Sequence, residues 1–132
     1  MGFRTTKEND GVKLQYTARE QRPKNTVRVN DRYDYDVKHW DDKVLVNQEV
    51  AGATTINLYN TEIDEYLGTE DIYESELSVR DEKGDAATNN ITVKDNNGTT
   101  LYTISTNSET AFFEIVNGVW VYVGKRNIWF LV

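Results

Sequence analysis

The chain reads as all-β: a compact β-sandwich or barrel-like (jelly-roll-like) domain with an extended N-terminal arm. Three observations predict this. Short apolar–polar alternations recur at about ten-residue spacing, the pattern of strands with one buried face. Gly and Asn punctuate them at turns, most plainly at Asn117-Gly118, because both central residues of a tight hairpin turn need positive φ. Helical periodicity is confined to residues 60–75, NTEIDEYLGTEDIYES. There Ile63, Tyr66 and Leu67 fit either a short helical turn ending at Gly68 or an acidic loop.

Residues 1–25 are polar, with Phe3, Val12, Leu14 and Tyr16 as sparse apolar points and Pro23 as the only proline. Val12–Tyr16 alternates and predicts one strand; the rest reads as an arm that orders only against a neighbour. Residues 26–132 form the single β domain. Val27–Val29 and Tyr33–Val37 alternate, and Lys43–Val46 and Thr54–Tyr59 follow on either side of Gly52. Beyond the acidic stretch, strands are expected at Leu77–Val79, Ile91–Val93, Leu101–Ile104, Ala111–Val116, Val119–Val123 and Ile128–Val132.

Two of these strands are copies of one pattern. Leu77-Ser-Val-Arg-Asp81-Glu-Lys-Gly84 recurs as Ile91-Thr-Val-Lys-Asp95-Asn-Asn-Gly98. In each, period-two alternation sends the apolar pair to one face, Asp opens a turn by accepting from the backbone, and Gly supplies the positive φ that closes it.

A chain of 132 residues suits one domain. Its 22 acids against 15 Lys and Arg give a net charge of -7, which argues against nucleic acid as a direct partner. The absence of cysteine excludes disulfides, thiolate metal sites and a cysteine nucleophile. The start MGFRTTKEND has no apolar core of a secretory signal, and no run has membrane length, so neither export nor a membrane partner is expected. Charge is unevenly placed: residues 1–32 hold eight Lys/Arg against four acids, and residues 60–82 hold nine acids against Arg80 alone. That asymmetry fits either two solvated faces or a docking surface.

No residue pattern points to catalysis, a metal or a cofactor. His39, the only histidine, stands beside Trp40 and Asp41-Asp42, but no second His or Cys can complete a transition-metal shell. Carboxylate pairs of the glycosidase kind arise by chance among so many acids. The Asp-x-x-Gly turns lack the ligand alternation and closing Glu of a calcium loop. The aromatic residues say more. Phe112 and Phe113 are adjacent on a strand and so face opposite ways, which leaves one outside the core. Ile128-Trp129-Phe130-Leu131-Val132 is continuously apolar and needs cover, from within the chain or from another subunit. Phe112, Trp129, Phe130 and Leu131 are therefore the subunit-interface candidates.

Several motifs occur in a telling order: Gly52-Ala-Thr-Thr-Ile-Asn-Leu58, then Val79-x-Asp81-x-x-Gly84-x-Ala86, Asn89-Asn90-Ile91-Thr-Val93, Thr103-Ile104-Ser-Thr, Phe112-Phe113-Glu-Ile115 and Gly118-x-Trp120. Over residues 52–123 this order resembles a C-terminal module of tailed-bacteriophage virion proteins, found in capsid-decoration, appendage and fibre proteins. The chain departs from the module at Thr99-Thr100-Leu101-Tyr102, where Ile-Asp-Gly is expected, and in the length of the acidic insertion. The resemblance implies a non-enzymatic virion structural protein made in the bacterial cytoplasm. It implies most directly a decoration (cement) protein, a homotrimeric knob on the capsid exterior whose partners are itself and the major capsid or other virion proteins. Arg4, Lys7, Lys13, Arg19 and Arg22 of the arm are then the capsid-docking candidates. A tail, neck or head-fibre adaptor is the alternative within the virion. A carbohydrate-binding module that stacks exposed aromatics on sugars is the alternative outside it.

Overall fold

A computed structural model describes residues 24–61 and 76–127. All regular structure among them is β: β1 (Thr26–Val29), β2 (Asp34–Asp36), β3 (Lys43–Val46), β4 (Thr54–Asn57), β5 (Glu76–Asp81), β6 (Ile91–Lys94), β7 (Thr100–Ile104), β8 (Glu109–Val116) and β9 (Val119–Asn127). The expected strands at Val12–Tyr16 and Ile128–Val132, and the helix-or-loop choice beyond Thr61, lie outside the described residues.

The strands form two mixed sheets, ordered β1-β3-β5-β8-β9 and β2-β4-β6-β7. Through β6 the chain changes sheet at every strand. β1, β3 and β5 thus stack in parallel on one side while β2, β4 and β6 stack in parallel on the other, as a flattened coil. A parallel pair needs a crossover, and here a strand of the opposite sheet serves in place of a helix. Asp95–Gly98 then turns the chain back, so β7 runs antiparallel to β6, β8 antiparallel to β5, and β9 antiparallel to β8.

The expected sandwich is present as two sheets closed on one core, but its connectivity is not that of a jelly roll. Four of the seven strand pairings are parallel, whereas a jelly roll is built from antiparallel strands. Alternation does not distinguish the two, because the outer faces of these parallel strands are solvated and carry polar residues, as antiparallel strands usually do.

The core is what the alternation predicts. Val44, Val79, Ala111 and Phe113 from the five-stranded sheet meet Ile56, Ile91, Val93 and Ile104 from the four-stranded one, and all are essentially fully buried. Trp120 closes one end, its indole N–H donating to the Tyr59 carbonyl at 3.0 Å. The repeated segments supply β5 and β6, one to each sheet, so Leu77 and Val79 belong to one wall of the core and Ile91 and Val93 to the other. Their closing glycines take nearly the same left-handed φ, +85° at Gly84 and +86° at Gly98. The Asn117-Gly118 hairpin has φ of 53° and 80°, as its turn type requires.

Candidate interaction surface

β8 begins its outer face with a choice imposed by two adjacent phenylalanines. Phe113 goes inward and is fully buried, while Phe112 lies half-buried on the outer face of the five-stranded sheet. Register places Ser78 of β5 on one side of Phe112 and Gly124 of β9 on the other. Neither has bulk enough to cover the ring, and a depression of about 470 Å³ results. Its floor includes Phe112 and Ser78; Lys43, Glu76, Glu114 and Arg126 are among the charged groups around it.

Charge on this face is banded across the strands. One row runs Lys43–Ser78–Phe112–Gly124, and the Arg126 guanidinium carbon sits 5.1 Å from the centre of the Phe112 ring, adding a second cation there. The next row along the strands runs Glu76–Glu114–Val121. Beside these rows the β8–β9 hairpin exposes valines: Val116 by 46%, Val119 by 61% and Val123 by 52%. Val123 is the extra residue of a β-bulge, since Phe112 pairs with Gly124 but Phe113 already pairs with Tyr122.

Edges differ sharply in how they meet solvent. β1 and β2 are short, and β2 carries Asp34 and Asp36, both accepting from Asn57 Nδ2; charged, short edges resist pairing with other chains. β9 is nine residues long and reads Val119-Trp-Val-Tyr-Val123 over its first half. Of the interface candidates, Phe112 is brought to this surface; Trp129, Phe130 and Leu131 lie outside the described residues, as do Arg4, Lys7, Lys13, Arg19 and Arg22. Sequence reasoning did not single out Val119, Val121 and Val123. Their signal is present, for they alternate with Trp120 and Tyr122 and make β9 apolar on both faces.

A second group of aromatic rings gathers around Tyr59, at the end of the sandwich that Trp120 closes. Trp40, 54% exposed, meets His39 edge-on at 4.7 Å and 80°, and Tyr59 meets the buried Trp120 at 5.2 Å and 80°. The loop bearing Trp40 is held from beneath by buried Asp41. That carboxylate accepts from the Tyr35 hydroxyl at 2.6 Å and the Lys38 amide at 2.9 Å on one oxygen, and from the Asn25 side chain at 3.1 Å on the other. Burial, reinforced by Asp41, holds the Tyr35 phenol well above its ordinary pKa. Among the described residues Tyr102 stacks coplanar on Tyr122 at 4.1 Å and 3°, so that the two rings cover each other. Tyr102 also donates to the fully buried Glu109, and burial followed by that bond raises its pKa. Tyr102 and Tyr122, from β7 of one sheet and β9 of the other, thus brace the two sheets against each other.

Among the described residues, no three His, Cys, Asp or Glu side chains come together in a way that could hold a metal ion, and no helix is long and apolar enough to cross a membrane. His39 is exposed. No protein-family model matches the chain, and no curated protein matches it.

Proposed function

We propose that this is a non-enzymatic structural protein of a tailed-phage virion, acting as a capsid decoration protein that fastens neighbouring capsid subunits. One observation carries the reading. The motifs that resemble the virion module, spread over residues 52–123, are the same residues that build the core and corners of this domain: β4, the Asp81 corner, β6, β8 and Trp120. In this reading the order of the motifs is the order of one folded unit.

In this reading the two-sheet domain is the body and its surface does the work. Fastening requires several modest contacts made at once, since linked contacts raise avidity without any single large interface. The Phe112 face offers one such contact, and the cations of residues 1–25 are proposed to supply others against acidic capsid surface. A neck, tail or head-fibre position would use the same contacts on a different partner. The test is a cryo-EM reconstruction of the virion whose genome encodes this chain. Density for the two-sheet domain on the capsid exterior is expected; absence of the protein from purified virions would overturn the proposal.

A further inference from the structure

The banded face around Phe112 is complementary to itself. Its cationic row (Lys43, with Arg126 folded over Phe112) and its acidic row (Glu76 and Glu114) lie side by side across the strands. A twofold axis lying in the face, crossing the strands between these two rows, lays each row of one copy on the opposite row of the other. We infer that this outer face of β5, β8 and β9 is a twofold contact between two copies of the chain, with their strands antiparallel across it. Arg126 over Phe112 then meets the second copy's Glu114, and Val121 of the second copy faces the gap left at Gly124. Each contact occurs twice, as an isologous interface demands.

Other placements fail on charge or shape. An axis along the strands sets Arg126 near Arg126 and Glu114 near Glu114, and like charges brought together oppose association. A threefold axis would need a second, different patch to receive this one, whereas this face is complementary to itself. The depression at Phe112 and the exposed Val116, Val119 and Val123 leave apolar surface that a second copy would cover, which supplies the area that charge pairing alone lacks. The inference goes beyond the virion reading and does not need it, because the contact is a property of the free protein.

Sedimentation velocity of the full chain, from micromolar to high-micromolar concentration, tests it with charge exchange. The wild type is expected to form a dimer that weakens as ionic strength rises. Arg126→Glu alone and Glu114→Arg alone are each expected to weaken it by about tenfold or more, and the double exchange to restore it to within about threefold of wild type. Arg126 pairs with Thr110, four positions along β8 from Glu114 in one copy, so rescue reports a contact between copies; far-ultraviolet circular dichroism verifies that each variant is folded. A monomer at every concentration, a trimer, or a dimer unmoved by the single exchanges or not rescued by the double one would overturn the inference. A failure to bind capsids would leave it standing and count only against the proposed function.

Discussion

The two Asp-x-x-Gly corners start from one sequence pattern and end in different physical situations. At Asp81 the carboxylate is buried and accepts three backbone amides: Gly84 at 3.0 Å and Ala86 at 2.9 Å from its own corner, and Ser108 at 3.0 Å from the β7–β8 connection. At Asp95 one oxygen accepts Asn97 and Thr99, both at 2.9 Å and both within the same hairpin. The glycines, by contrast, are alike in φ. A local motif therefore fixes a local backbone shape, while what its side chain holds together depends on where the strand sits. β5 is central in its sheet and its corner is a three-way junction; the turn after β6 closes a simple hairpin.

That difference can be broken most forcefully at Asp81. Asp81→Ala leaves three amides without their acceptor and is expected to cost about 3 kcal/mol or more, read as a lowered denaturation midpoint in urea with unchanged slope. Asp95→Ala exposes amides that water can reach and is expected to cost about 1 kcal/mol in the same titration. Equal losses at the two positions would mean that the junction at Ser108 contributes nothing.

The glycines sharpen the comparison from the other side. Gly84→Ala and Gly98→Ala each force a left-handed φ on a residue with a Cβ, and about 1 kcal/mol is expected from both. An added Cβ at Gly84 would lie 3.4 Å from Ser108 Oγ, ordinary contact, and at Gly98 it would meet nothing within 4 Å. A Gly84 penalty several times larger would show that the corner tolerates no adjustment.

The smallest effect concerns pH. Glu82, next to the Asp81 corner, accepts Arg28 Nε at 2.9 Å and Nη2 at 3.0 Å, and that bond holds its carboxyl below the ordinary value of 4.5. A depressed folded pKa contributes stability that is complete above the unfolded value and fades as pH falls through the folded one. Glu82→Gln should therefore lower stability slightly at neutral pH, slightly because the pair is solvent-screened, and the difference from wild type should fade as pH falls below about 4.5, which flattens the acid limb of the stability–pH curve.

How much of this was legible in the sequence follows the same division. Strand positions, the inward residues and the turn glycines could be read because alternation and φ are local properties. That Phe112 and Phe113 part company also followed from the pleat alone. Pairing is not legible: nothing in Leu77–Asp81 says that its neighbours are Lys43–Val46 on one side and Glu109–Val116 on the other, so the sequence supports a sandwich without fixing which of its strands pair in parallel. The surface was half legible. Phe112 was found, but its setting depends on Ser78 and Gly124 arriving beside it from positions remote in the chain. The valines of β9 passed as ordinary strand residues because a two-sided apolar strand also describes a buried one.

Switching sheets at every strand through β6 also governs how fast the molecule can be made. Apart from the local returns at β6–β7 and β8–β9, each pairing joins segments remote in the chain; Thr26 must wait for Lys43, and Thr54 for Ile91. Neither wall can be completed before the other is under way. Loop-closure entropy is paid before most of the rewarding contacts form, which places such a chain among slow, high-contact-order folders, on the order of milliseconds to seconds. Docking of Trp120 on Tyr59, 61 residues apart in the chain, would mark the late event of that assembly.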